Sequence, residues 1–201
     1  DALHSERRDR SILFWKSLPV SDLTTVLSKA SIPLVVLPLL TFAIIVALKL
    51  IMLLLSTAVL LANGLSAAPL WTQVPLLRMS LMLLYGLIAF TLWYAPIYGW
   101  LLLISGWARR TTFLWAMLPP LAICVVEAIA FHTSHFASML KYRLTGAFAE
   151  AFAEAHGDPV IELEQLDPVR FLSSPGLWIG LVVAAAFLAA AVWLRRYREP
   201  I

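Results

Sequence analysis

Few residues in this chain could do chemistry, and two of them are charged residues inside long apolar runs. These are Lys49 and Glu127. If those runs cross a membrane, a charge near the centre costs roughly 2.5–3.5 kcal/mol on insertion scales, so such residues are candidates for a functional site. One hypothesis pairs the two side chains. In the other, Lys49 extends towards the membrane surface and Glu127 faces an outer vestibule.

Histidines and acidic residues cluster after the third apolar run. His132 and His135 are three residues apart and would share one face of a continuous helix, while His156 and Asp158 follow downstream. Zinc requires three or four converging ligands. The sequence has neither a cysteine partner nor a His-Glu-x-x-His pattern, and its serines lack a Gly-x-Ser-x-Gly context. We therefore predict neither a metal centre nor a catalytic centre, and interpret the histidines as interfacial.

The composition excludes an ordinary soluble domain. Hydrophobic residues make up 61% of the 201 residues and charged residues 13%, with a mean hydropathy of +0.86. Soluble domains are about 25% charged. The net charge of +3 does not indicate nucleic-acid binding, because the basic residues lie at the ends of apolar runs. Cys124 is the single cysteine, which excludes an intrachain disulfide.

Four apolar segments are long enough to cross a bilayer, since a spanning helix needs roughly 20 apolar residues. They cover about 31–62, 79–106, 113–136 and 177–194. The sequence therefore predicts an all-α fold, a polytopic membrane helix bundle. We divide it into cytoplasmic amphipathic helices over 1–30 and a transmembrane domain over 31–201.

The distribution of basic residues predicts the orientation, because cytoplasmic segments carry an excess of Lys and Arg. With the N-terminus of this segment in the cytoplasm, the inner parts hold ten of the fifteen basic residues. These ten are Arg7, Arg8, Arg10, Lys16, Lys29, Arg109, Arg110, Arg195, Arg196 and Arg198. The outer parts hold Arg78, Lys141, Arg143 and Arg170. We expect a multi-pass protein of the inner (plasma) membrane with both ends cytoplasmic.

The external loop over 137–175 carries six acidic and three basic residues. It contains apolar residues at steps of four, which predict one amphipathic helix ending at Gly157. Those residues are Leu140, Leu144, Phe148 and Phe152. Two interpretations are open: the helix rests on the outer leaflet, or it forms a gate over a translocation path.

Two short amphipathic helices precede the first span. The first covers about 5–18 and ends at Pro19, after which Ser21 is a suitable N-cap and Asp22 suits the positive end of a helix dipole. Lys29 lies in the last turn, as the dipole favours. One apolar face of the second helix comprises Leu23, Val26, Leu27 and Ala30. A helix pair of this kind forms a docking surface on the cytoplasmic side.

The stretch ERRDRSILFWKSLPVSD over residues 6–22, followed by Lys29 and a long apolar helix, resembles the coupling-helix region of ABC type-2 exporter permeases. The resemblance implies six membrane helices per permease, two permease halves and ATP-binding cassette ATPase subunits that contact this loop. The four spans would be the third to sixth, and we expect two further spans upstream of Asp1. The resemblance assigns ATPase coupling to Arg10, Phe14, Trp15, Leu18, Pro19, Val20, Ser21 and Asp22.

A permease of this family moves substrate by alternating access, powered by the ATPase subunits. The sequence contains no Gly-x-x-x-x-Gly-Lys-Ser/Thr phosphate loop. We therefore expect no enzymatic activity and no directly bound cofactor in this chain, with ATP and Mg²⁺ held by the partner ATPase and a second permease half completing a homodimer. Candidate substrate-path residues are Lys49, Trp93, Tyr94, Tyr98 and Glu127, although aromatic belts explain the three aromatics equally well. The alternative is a membrane anchor or assembly factor without transport activity.

Small residues and prolines also mark the spans. Gly176, Gly180 and Ala184 are spaced four apart, which predicts a face for close helix packing. Pro96 and the pair Pro119 and Pro120 lie within spans. Proline removes a backbone hydrogen bond, so these positions are hinges or static bends.

Overall fold

The computed structural model describes residues 21–73, 75–108, 111–152 and 167–197. Every element over these residues is helical. The elements are α1 (Asp22–Ser31), a π-helical turn (Ile32–Val36), α2 (Leu37–Ala62), α3 (Ala68–Gln73), α4 (Leu76–Trp107), α5 (Thr112–Phe131), α6 (His135–Thr145), α7 (Ala147–Ala151), α8 (Pro168–Ser173) and α9 (Pro175–Tyr197). Four helical segments are long and apolar enough to cross a membrane. The chain is an all-α membrane helix bundle.

The first membrane segment starts at the predicted N-cap. The Ser21 side chain accepts a hydrogen bond from the Thr24 N–H at 3.1 Å, and Asp22 and Lys29 occupy the first and last turns of α1. The helix then continues through the π-helical turn into α2, giving one segment of 41 residues, Asp22–Ala62. The boundary that we placed after residue 30 therefore falls inside a continuous helical segment.

Two prolines account for the wider turn between α1 and α2. Pro33 lies at the start of the π-helical turn and Pro38 at the start of α2. Proline has no N–H, and its ring collides with the carbonyl four residues earlier in a regular α-helix. The Leu37 N–H instead donates to the Ile32 carbonyl, one residue further back. The chain thereby stays helical past both prolines.

Helix α4 is the centre of the bundle. It packs along α9 and also contacts α1, α2 and α5. At Gly99 an added Cβ would lie 3.2 Å from the Ala184 carbonyl oxygen, so the α4 and α9 backbones approach closely there. The close packing that we predicted for the small-residue face of the last span is confirmed at Ala184.

Helix α5 ends at Phe131, so the predicted end of the third span at Phe136 is wrong. His132 has a left-handed backbone with φ of 50° and terminates the helix, and α6 begins only at His135. The two histidines therefore lie in different elements. The prediction that they share one helix face is wrong for the same reason.

The external segment forms two short helices where we predicted one. The Gly146 N–H donates to the Tyr142 carbonyl and closes α6, and a Cβ at Gly146 would lie 2.6 Å from that carbonyl oxygen. Leu144 and Phe148 are about half exposed, whereas Phe152, which follows α7 in extended backbone, is buried. Helix α7 ends at Ala151, and the predicted end at Gly157 lies outside the described residues.

Candidate functional site

Helix α4 holds the external helices through three aromatic side chains. Each donates a hydrogen bond of 2.9 Å to a backbone carbonyl: Tyr85 to Ala151, Trp93 to Arg143 and Tyr94 to Leu144. These carbonyls lie in the last turns of α6 and α7, where the helix itself supplies no donor. We call α6, α7 and α8 together the external cap, after the loop that the sequence predicts to lie outside the membrane. Helix α4 thus satisfies three backbone carbonyls at the ends of α6 and α7.

Trp93 is the centre of the core beneath the external cap. Its side chain is 0% exposed. The Tyr142 ring meets it edge-on with centroids 5.3 Å apart, and Phe171 lies 6.5 Å away. A fully buried ring offers no surface to a substrate in this conformation. The structure thus gives Trp93 and Tyr94 a part in fixing the cap, and their place in a substrate path stays a prediction, as does that of the half-buried Tyr98.

Arg143 carries its charge into this core. Its guanidinium carbon lies 4.6 Å from the centre of the Trp93 ring, and Nη1 donates to the Gly176 carbonyl at 2.9 Å. Nη2 is buried and has no hydrogen-bond partner. Burial lowers the pKa of Arg143 below its ordinary value. A cation–π contact and one carbonyl are therefore the visible compensation for burying this cation.

Gly180 makes room for that guanidinium. A Cβ at position 180 would overlap Arg143 Nη2 and the atoms bonded to it. Gly176, one turn earlier, faces the Tyr142 hydroxyl, which would lie 3.3 Å from an added Cβ. The small-residue face of α9 therefore serves two neighbours: its first two glycines accommodate the cap, and Ala184 packs against α4.

Tyr142 and Glu150 join the two cap helices. The Tyr142 hydroxyl donates to Glu150 Oε1 at 2.7 Å. Burial, together with the hydrogen bond and the negative charge of Glu150, raises the pKa of Tyr142 to about 12. This bond connects the α6 and α7 sides of the turn at Gly146, so the cap is connected internally as well as to α4.

Glu127 lies in the last part of the third span, four residues before α5 ends at Phe131. Its carboxylate accepts hydrogen bonds from the His135 N–H at 2.7 Å, the Phe136 N–H at 2.8 Å and the Thr133 hydroxyl at 3.0 Å. The first N–H groups of a helix have no intrahelical partner, and an acidic oxygen is a favoured acceptor for them. Glu127 therefore caps α6. No ion pair joins it to Lys49, so the paired-charge hypothesis is wrong.

Lys49 lies in a different place, in a cleft between α2, α3 and α4 that we call the α2–α4 groove. The groove has a volume of about 370 Å³. Its lining is apolar except at Lys49 and Ser56. The lining residues are Ile45, Leu48, Lys49, Met52, Leu53, Ser56, Leu70, Leu76 and Met79. Next to the lining residues Leu70 and Ser56, the Trp71 indole N–H donates a hydrogen bond to the Thr57 hydroxyl at 3.1 Å.

At the opposite end of the bundle, an ion pair ties the first membrane segment to the last. Arg195 Nε lies 3.0 Å from Asp22 Oδ1, and the Arg195 side chain is only 6% exposed. Val26 and Ala30 are buried beside it, while Leu23 and Leu27 are about half exposed. Half of the predicted apolar face of α1 therefore faces the bundle. The coupling candidates Arg10, Phe14, Trp15, Leu18, Pro19 and Val20 lie outside the described residues.

Sequence analysis missed the roles of Tyr85, Arg143 and Arg195. Arg143 had a detectable cue, because a basic residue on the predicted outer side of an amphipathic helix needs an explanation. Tyr85 had none, since tyrosine at a membrane interface is ordinary. Arg195 was counted as a cytoplasmic anchor, and only the fold brings it to Asp22.

The described residues contain no group of three His, Cys, Asp or Glu side chains placed to hold a metal ion. The features on which a function can be argued are therefore the external cap, the α2–α4 groove and the Asp22–Arg195 joint. No known protein family, curated protein or solved structure matches this chain.

Proposed function

We propose that this chain is the transmembrane permease subunit of an ATP-driven exporter in the inner membrane, with both ends of the segment in the cytoplasm. The resemblance of residues 6–22 to a coupling-helix region supports this proposal. The observation that carries it furthest is the joint between Asp22 and Arg195. It attaches the helix directly after the coupling region to the last span.

A coupling element can transmit work only if it is attached rigidly to the spans. Helix α1 meets this requirement, because Val26 and Ala30 are buried and α1 packs against both α9 and α4. The helical segment runs without interruption from Asp22 to Ala62, about 60 Å at 1.5 Å per residue. A displacement of its cytoplasmic end would therefore be transmitted along α1 into the first span.

This chain has no phosphate-loop motif, so ATP hydrolysis is assigned to other subunits. Two partner ATPase subunits would bind ATP and Mg²⁺, and a second copy of this chain would complete the transport path. The exposed Leu23 and Leu27 on α1 would extend the apolar contact surface that the sequence predicts for residues 5–18. Asp22 would act as a positioning residue that holds α1 against α9.

Co-purification tests the proposal. The full-length protein is expressed with a candidate phosphate-loop ATPase from the same genome, and the Leu18→Ala, Pro19→Ala double variant is compared with Leu65→Ala. Leu65 is 57% exposed and lies just beyond α2, at the end of the first membrane segment opposite to Asp22. We expect the double variant to lose most of the bound ATPase while remaining in the membrane, and the control to keep it. An ATPase complex that survives the double substitution would contradict the coupling assignment and favour a membrane anchor or assembly factor.

A further inference from the structure

The α2–α4 groove combines one positive charge with an apolar lining. Lys49 and Ser56 are seven residues apart on α2, so they lie two turns apart on one face. Every other lining residue is apolar, and the groove has a volume of about 370 Å³. Arg78 lies on α4 within one turn of the lining residues Leu76 and Met79. The groove therefore combines the positive charge of Lys49 and one hydroxyl with an otherwise apolar lining.

The charge of Lys49 is unbalanced among the described residues, where its ammonium group makes neither an ion pair nor a hydrogen bond. A cation in an apolar membrane segment is unfavourable unless it is paired or reaches water. A ligand that complements the groove would therefore present an anionic oxygen to Lys49. The Ser56 hydroxyl can donate a further hydrogen bond to the same ligand.

The rest of the ligand must be apolar. Leu48 and Met52 line the groove and remain 54% and 65% exposed. In a bilayer these side chains face acyl chains. We propose that the α2–α4 groove binds one anionic phospholipid, with its phosphate at Lys49 and Ser56 and its acyl chains along Leu48 and Met52. The site is independent of transport, so it does not rest on the proposed function.

Native mass spectrometry of the full chain tests this site with phosphatidylglycerol and phosphatidylcholine as probes. The Lys49→Met variant is compared with Lys141→Met, which removes an exposed lysine of α6 outside the groove. One lysine near a membrane surface contributes about 1 kcal/mol to anionic-lipid binding, which corresponds to roughly fivefold in affinity. We expect about a fivefold loss of tightly bound phosphatidylglycerol in Lys49→Met and none in Lys141→Met.

Further variants and probes distinguish an anionic lipid from other occupants of the groove. Lys49→Arg preserves the charge and should retain the lipid, whereas loss in Lys49→Arg equal to that in Lys49→Met would overturn the proposal. Equal binding of phosphatidylcholine, or displacement of the lipid by millimolar inorganic phosphate, would also overturn it. Cross-linking of two copies of the chain through Lys49→Cys would show that protein covers the groove, and would exclude the lipid.

Discussion

Gly180→Ala isolates the contribution of the buried Arg143 to the attachment of the external cap. The new methyl group would occupy the place of Nη2, and the guanidinium would have to leave the space beside position 180. It would lose the hydrogen bond from Nη1 to the Gly176 carbonyl and its position over the Trp93 ring. The α9 backbone itself needs no rearrangement, because alanine suits a helix interior.

The expected cost follows from these losses. A hydrogen bond to a charged group contributes about 1.5–3 kcal/mol, and a cation–π contact about 0.5–2 kcal/mol. The higher helix propensity of alanine offsets roughly 1 kcal/mol. We therefore expect Gly180→Ala to lower the free energy of unfolding by about 1–4 kcal/mol.

Unfolding in mixed micelles measures this change, and a double-mutant cycle with Arg143→Ala identifies its cause. Without the guanidinium the methyl group meets no obstacle, so Gly180→Ala should be neutral or stabilising in the Arg143→Ala background. Gly176→Ala is the matched control, since its Cβ would lie 3.3 Å from its nearest neighbour, the Tyr142 hydroxyl. If the effects of Gly180→Ala and Arg143→Ala add within about 0.5 kcal/mol, the steric conflict between the new methyl group and the guanidinium is refuted.

Three further predictions concern contacts that connect helices of the bundle. Glu127→Ala should accelerate hydrogen exchange at the first amides of α6, because the carboxylate accepts their N–H groups, while Lys49→Met should not; unchanged exchange would contradict the cap. Asp22→Asn should lower the free energy of unfolding by about 1–3 kcal/mol, and because the paired Arg195 is buried, 1 M salt should not reproduce the loss in the parent protein. The raised pKa of Tyr142 means that the folded state resists deprotonation, so its stability advantage over Tyr142→Phe should be constant below about pH 10 and decline as the pH rises from there to about 12. If the stability difference between the parent protein and Tyr142→Phe stays constant over that pH interval, the bond to Glu150 does not raise the pKa of Tyr142.

Sequence periodicity did not identify the face of α6 and α7 that packs against the bundle. The spacing of Leu140, Leu144, Phe148 and Phe152 predicts one buried stripe, but Leu144 and Phe148 are both about half exposed, and Phe152 follows α7 in extended backbone. Arg143, Ala147 and Ala151 lie towards the bundle instead. A pattern of apolar residues cannot predict this, because it assumes an uninterrupted helix and gives a basic residue no place in a core.

The sequence alone determined the helical membrane architecture, the four spans and the Ser21 cap of α1, since each depends on composition or on neighbours within one turn. The tertiary structure decided which charges meet. Asp22 and Arg195 are 173 residues apart, and Glu127 turns to the next helix where we had considered Lys49 as its partner. Such pairings depend on the packing of whole helices, and a single sequence carries no direct record of that packing.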